Sequence, residues 1–226
     1  MGRIRGVILD VDGTLVDSND AHAQAWVDAL AEHDIQVGFE KVRPLVGMGG
    51  DKLLPEVSGI EEDTPEGERI SKRRGEIFKQ RYLPTLKAFP STRELLQRMR
   101  DEGLKLVVAS SAKEDELNLL LKIAGADGLV EEKTSSDDAE NSKPDPDIVK
   151  AALDGSGLAP DEVLMLGDTP YDIESASGAG VGVVAFRCGG WEDADLSGAI
   201  AIYDGPADLL SNYESSPVGL GRTAGK

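Results

Sequence analysis

The chain has 226 residues, of which 40% are hydrophobic and 29% charged, enough for one domain or for one domain carrying a small insertion. Its 24 basic and 42 acidic residues give a net charge of −18. That balance argues against nucleic acid or an anionic membrane as the main partner, and it requires any anionic substrate to be met by a metal ion or a placed Lys or Arg.

Cys188 is the single cysteine, so no disulfide forms within the chain. The start, MGRIRGVILD, has no apolar stretch ending in a small-residue cleavage site, and no segment approaches transmembrane length. The expectation is a cytoplasmic protein with no membrane partner.

In chain order, the apolar run 7–9 reads as a buried strand that leads into Asp10 and Asp12. Side chains two apart in an extended segment share a side, so the two carboxylates converge there. Like charges crowded together need a cation or a shared proton. Gly13 permits a sharp turn, and helix-like sequence follows to about position 85. It has a helix over 19–33 with Asn19 or Asp20 as cap, the flexible piece GMGGDK within 43–57, and a Lys/Arg-rich helix over 71–83.

From Ala88 onward strands and helices alternate. Helices are expected over 91–102, 113–124, 145–153 and 172–177. Strands are expected at 104–109, 129–130, 163–166, 181–186 and 199–203. Such alternation predicts an α/β fold, a Rossmann-like parallel sheet with helices on both faces. The helical block after the first strand reads as an inserted cap. The expected division is a core of 1–16 and 87–212, a small α-helical cap domain over 17–86, and a disordered tail over 213–226, rich in Gly and Ser.

Four polar stations fall at or just beyond the C-terminal ends of expected strands, the edge where open parallel sheets bind ligands. They are Asp10 with Asp12, Ser110, Lys143 in NSKPDPD, and Asp168 with Asp172 in GDTPYD. Each alone has an ordinary reading as a turn residue, helix cap or solvated charge. Those readings do not explain why all four share one edge in this order.

DVDGT, a strand-end Ser, a Lys before Pro, and GDTxxD resemble the four motifs of the haloacid dehalogenase-like hydrolases, and the resemblance runs from about residue 5 to 210. It implies a Rossmann-like core with a helical cap inserted after the first strand. It also implies phosphomonoester hydrolysis, with Asp10 as the nucleophile that forms an aspartyl-phosphate. Asp12 is then the acid and base, and its pKa is expected above that of an ordinary Asp. Mg²⁺ is implied at Asp10, the backbone carbonyl of Asp12, and Asp168, with Asp172 a direct or water-mediated ligand.

Ser110 and Lys143 are implied as phosphoryl ligands, and Gly13 and Thr14 shape the loop. Ser111 adjoins Ser110, whose alternation with Ala109 favours Ser110 for that role. The expected partner is a small phosphate ester, such as a sugar phosphate or phosphoglycolate, and the chain itself is a monomer or weak homodimer.

β-Phosphoglucomutase-like transfer between sugar hydroxyls is the alternative within the family. His22 and Trp26, spaced i and i+4, lie where that mutase carries a His and a Trp on its first cap helix. Gly50 in GMGGDKLL stands where the mutase places an Arg for the distal phosphate, and Lys52 is two residues displaced. Arg74 is a further candidate for meeting a substrate anion. The balance favours a phosphatase. A catalytically silent domain that only binds a ligand is the alternative from another class.

Overall fold

A computed structural model describes residues 3–221. After strand β1 (Gly6–Leu9) come helices α1 (Asn19–Glu32), α2 (Phe39–Val42), α3 (Gly50–Ser58) and α4 (Pro65–Ile77). The chain then alternates through α5 (Thr92–Asp101), β2 (Lys105–Ala109), α6 (Glu114–Ile123), β3 (Glu132–Thr134), α7 (Asp147–Ser156), β4 (Val163–Gly167), α8 (Pro170–Gly178), β5 (Gly182–Phe186) and β6 (Ala201–Tyr203). Helices α9 (Pro206–Ser211) and α10 (Pro217–Leu220) follow.

The strands form one six-stranded sheet in the order β3-β2-β1-β4-β5-β6, every pair parallel. Alternation along the central strands divides their apolar side chains between two cores. Val7, Leu9, Val108 and Leu166 face α5 and α6 through Leu95, Met99 and Leu120. Ile8, Val107 and Met165 face α7 and α8 through Val149, Ala152 and Ala176. With both faces covered, the strands read as continuous apolar runs. The strand order reverses between β1 and β4, and a crevice opens beyond their C-terminal ends.

Two connections join the helical block to the sheet side by side. Asp17 N donates to Lys87 O at 3.0 Å and Phe89 N to Leu15 O at 3.0 Å, beside an antiparallel bridge between Val16 and Ala88. Helix α1 packs on α4, with Ala29, Leu30, Ile70 and Ile77 fully buried in the block.

Three expectations shift. The 71–83 helix begins at Pro65, because Thr64 caps Gly67 N at 3.1 Å and Pro65 takes the first position. It gives way to a π-turn at Phe78–Tyr82. The strand expected at 129–130 lies instead at Glu132–Thr134. Leu129 is buried at a turn closed by its own N–H on Ala126 O, so its burial comes from packing rather than pairing.

The tail expected to be disordered over 213–226 is packed as far as Gly221, and 222–226 lie outside the described residues. Tyr213 and Val218 are buried, Ile4 N donates to Gly221 O at 2.9 Å, and the Arg98 guanidinium lies 4.9 Å over the Tyr213 ring. Two buried apolar anchors outweigh the Gly and Ser between them. Tyr213→Ala is expected to lower stability by about 3 kcal/mol, the scale of removing a buried aromatic, read as a fall in the urea midpoint. An unchanged midpoint would mean that the tail contributes no packing.

Candidate active site

The register that pairs Leu9 with Val108 and with Leu166 sends Asp10 out of the sheet beside the end of β4. Its own N–H still donates to Leu166 O at 2.9 Å. Gly13 follows at φ +78°, where a Cβ would strike the side chains of Asn19 and Asp168, so this turn requires glycine. Thr14 Oγ1 lies 3.0 Å from Asp10 Oδ2 and 2.9 Å from Asp168 Oδ1. One hydroxyl proton serves only one carboxylate at a time, so the second contact calls for a further proton or a cation.

Lys143 is 1% exposed, and its ammonium is enclosed by oxygen atoms. It reaches Asp10 Oδ1 at 2.6 Å, Asp172 Oδ1 at 2.8 Å and Ala109 O at 3.0 Å. Asp172 Oδ2 accepts from Asp168 N, Thr169 N and Thr169 Oγ1 at 3.2, 3.0 and 2.7 Å, while Thr169 Oγ1 accepts from Asp172 N at 3.1 Å. These reciprocal bonds form the capping box of α8. Asp168 is held by Asn19, whose Nδ2 donates to Asp168 Oδ2 at 2.9 Å and to Gly189 O at 3.1 Å.

Charge is unbalanced here. Asp10, Asp168 and Asp172 each bring an oxygen within 4.8 Å of the others, and all three residues are buried. Three carboxylates against the one Lys143 ammonium leave a deficit of two positive charges. Burial drives the Asp10 carboxyl up to about 7 although Lys143 pulls it down, and Asp172 and Asp12 add to the rise. Burial, then the charges of Asp10 and Asp172, push Asp168 well above the usual range against the bonds from Thr14 and Asn19. Burial opposes the charged form of Lys143, yet Asp10 and Asp172 keep it raised. An all-oxygen pocket short of two charges fits a hard divalent cation.

Asp12 behaves differently from Asp10. Its Oδ1 accepts from Ser18 Oγ at 2.5 Å and lies 2.8 Å from His22 Nε2. Burial raises the Asp12 carboxyl, but the charge and hydrogen bond of His22, with Ser18 and Arg74, reverse this and hold it below the usual range. The expectation of a raised pKa at Asp12 is therefore corrected: His22, on α1, sets it. The His22 ring stacks on Phe78 at 4.0 Å, which fixes its plane.

Arg74 Nη1 donates to Glu116 Oε1 and Oε2 at 3.0 and 3.1 Å and lies 3.5 Å from His22 Nδ1. Asp10, Asp12, His22, Arg74 and Ser111 all line one cleft between the helical block and the sheet, with Gly50 and Trp26 in its wall. Ser110 is buried, and its Oγ accepts from Ala112 N at 3.1 Å. The Ser111 hydroxyl is enclosed and partnerless. Lys52 is turned away, its ammonium on Asp145 and on Ser142 O.

Four further residues take part in the site. Ser18 occupies the cap position of α1 expected for Asn19 or Asp20, with its hydroxyl spent on Asp12 rather than on the helix. Asn19 holds Asp168, Gly189 leaves room for that carboxylate, and Glu116 anchors Arg74. Only Gly189 carried a signal, its place just after an expected strand.

Comparison with known proteins agrees with this geometry. The family model described as haloacid dehalogenase-like hydrolase matches residues 7–186. The phosphoglycolate phosphatase of Rhodospirillum rubrum is 31% identical over 214 residues, 91% of this chain and 89% of its own length. The putative pyrophosphatase PpaX of Caldanaerobacter subterraneus subsp. tengcongensis is 30% identical over 194 residues, 82% of each chain. The Arabidopsis thaliana protein SUPPRESSOR OF QUENCHING 1, chloroplastic, is 30% identical over 190 residues, and the chain spans 18% of that longer protein. A hydrolase from Pseudomonas syringae superposes with a TM-score of 0.87 at 31% identity, covering 94% of this chain and 98% of its own. On the strength of the motifs, the sheet-edge site and these matches, the chain belongs to the haloacid dehalogenase-like hydrolases.

Proposed function

We propose that this phosphatase hydrolyses a small phosphomonoester through an aspartyl-phosphate on Asp10, with Mg²⁺ held by Asp10, Asp168 and the Asp12 carbonyl. The observation that carries this reading is the Asp10 carboxylate, buried and gripped by Lys143 at the cleft, with Asp12 turned to His22 beside it. When bound, the cation neutralises the charge that gathers on the phosphoryl oxygens. Asp172, its oxygens engaged by α8 and Lys143, serves mainly to hold that lysine. Residues 17–86 act as the cap that closes over the substrate.

In the first step an Asp10 oxygen bonds to phosphorus, the ester P–O bond breaks, and the leaving oxygen takes a proton held between Asp12 Oδ1 and His22 Nε2. In the second, water attacks phosphorus, its proton returns to that pair, and inorganic phosphate departs as the Asp10 carboxylate is restored. Lys143 and the partnerless Ser111 hydroxyl stabilise the transferring group. Ser110 shapes the turn that presents Ser111.

Phosphate release is tested on a panel of phosphomonoesters with Mg²⁺ and with chelator. The relatives' names put phosphoglycolate and pyrophosphate first, and β-glucose 1-phosphate completes the panel. Cation-dependent release supports the reading. Conversion of β-glucose 1-phosphate without release would replace it with transfer between sugar hydroxyls.

Cation binding is expected to depend on pH. With the Asp10 carboxyl at about 7, it is protonated below that pH and the cation must displace the proton. Each pH unit below about 7 is expected to weaken Mg²⁺ binding at least about tenfold through Asp10 alone, and more where the raised Asp168 carboxyl must also lose a proton. Calorimetry in buffers of different ionisation enthalpy reads the released proton. Affinity that is flat from pH 6 to 8 would contradict the raised Asp10.

A further inference from the structure

Among the described residues lining the cleft, Arg74 is the one Lys or Arg. Its guanidinium is half used. Nη1 carries both contacts to Glu116 and the approach to His22. Nε is enclosed with no partner, and Nη2 makes no hydrogen bond among the described residues. The Trp26 ring lies under the guanidinium at 5.3 Å and holds its plane. Leaving a buried donor unmet is costly, so the group is set for an acceptor that the chain does not supply.

The unmet hydrogen-bonding capacity of this wall is mostly of one kind. Both Glu116 oxygens already accept from Nη1, and what remains open is the Nε–Nη2 edge of Arg74 and the Ser111 hydroxyl. A planar two-donor edge matches a carboxylate or phosphate, whereas a sugar hydroxyl fills only one of its positions. Glu116 sits in the first turn of α6 on the core and Arg74 on α4 of the cap, so the ion pair also ties the two sides of the cleft together.

We infer that Arg74 is the specificity residue of the cleft, reading through its Nε–Nη2 edge a second anionic group on the substrate, close to the phosphoryl ester. The reach is short. One imidazole ring and contacts of 3.5 and 2.8 Å separate Arg74 from the Asp12 carboxylate that faces the leaving oxygen. A phosphorylated hydroxy acid of two or three carbons spans that distance, and a second phosphate directly beyond the ester oxygen does so too. A hexose phosphate sets its far substituents beyond it. Glu116 holds the guanidinium in place, and its charge limits how tightly the second anion binds.

This inference rests on the phosphatase reading, and two measurements keep them apart. The first is kinetic, on the Mg²⁺-loaded enzyme, with phosphoglycolate against 2-hydroxyethyl phosphate, which has the same length and a neutral end, and pyrophosphate as the phosphate-ended arm. Arg74→Gln is expected to cut kcat/KM for phosphoglycolate on the order of 10- to 100-fold more than for 2-hydroxyethyl phosphate, the difference falling mostly in KM, beside a fall in kcat common to both esters because Arg74 also acts on Asp12 and His22. Arg74→Lys falls between, since it keeps the charge and loses the fork. Glu116→Gln lowers KM for the anionic substrate only. A loss for pyrophosphate but not phosphoglycolate would still place a second anion on Arg74 and assign it as phosphate.

The second measurement needs no turnover. Calorimetry compares 3-phosphonopropionate with propylphosphonate on wild type and Arg74→Gln. Wild type is expected to favour the doubly anionic analogue and the variant to bind both alike, with retained propylphosphonate binding as the sign of an intact fold. Equal wild-type affinities, or equal losses on both analogues, would overturn the role of Arg74 whether or not any phosphate is released. Discrimination in binding without release from any ester would uphold Arg74 and sink the hydrolytic reading.

Discussion

Asp10→Asn is expected to abolish phosphate release while leaving the fold intact. The amide is isosteric with the carboxyl, with its oxygen placed to accept from Lys143 and its NH2 placed to donate to Thr14 Oγ1, so the end of β1 has no reason to move. What disappears is the proposed oxygen nucleophile. Removing the attacking group of an enzyme that works through a covalent intermediate costs on the order of 10⁴-fold or more in kcat. The variant also relieves crowding, since Asp168 loses a neighbouring negative charge that raises its own pKa. Its urea midpoint without metal is therefore expected at or above that of wild type. Residual turnover within about tenfold of wild type would remove Asp10 from the chemistry.

The second large effect is on stability as well as rate. Among the described residues, Lys143 is the one ammonium set against the three buried carboxylates, and it pairs with two of them. Lys143→Met keeps the length and apolar stem of the side chain and removes the ammonium. Breaking a buried ion pair from one side costs about 3–5 kcal/mol, because the remaining charge stays desolvated and unpaired. Urea unfolding in chelator is expected to show that loss, and millimolar Mg²⁺ to recover part of it. Activity is expected to fall at least ~10²-fold, the scale of removing one preorganised donor to a developing oxyanion. A variant as stable as wild type in chelator would mean that the carboxylates are neutral without Lys143, and that the charge deficit at the site is not real.

The parts of the molecule that were legible in the sequence are those dictated by short-range pattern. Val7–Leu9, Leu106–Ala109 and Leu164–Leu166 are apolar on both faces because helices cover both, and such runs read as strands without any knowledge of partners. Asp10, Asp12, Lys143 and Asp168 could be placed at one edge for the same reason: once the strands are parallel, their C-terminal ends share a side. Asp172 was legible through the GDTPYD motif, and the structure adds that it closes a capping box with Thr169.

What could not be read depends on contacts across long separations. Asn19 reads as a helix cap until β4 brings Asp168 to it from 149 residues away. Glu116 looks like one more acid in the first turn of a helix, and only the seating of α4 over α6 makes it the partner of Arg74. The pKa of Asp12 went the other way from its expected direction because His22, with Ser18 and Arg74, outweighs the burial that would raise it, and His22 comes to it from another element. Residues 213–221 carry the composition of a loose end. Their order comes from Tyr213 and Val218 finding a surface made by Ile4 and α5, which composition does not encode.

The proposed route passes through a phosphoryl group bonded to Asp10, and that bond can be caught. A preferred phosphomonoester, mixed with the Mg²⁺-loaded enzyme and quenched in acid within the first turnover, should leave the peptide containing Asp10 heavier by one phosphoryl group. Hydroxylamine should discharge the added group, as it does any acyl phosphate, and Asp10→Asn should show none of it. Rapid phosphate release with that peptide never modified, at any quench time, would mean that water attacks the ester directly and that Asp10 is a metal ligand rather than the nucleophile.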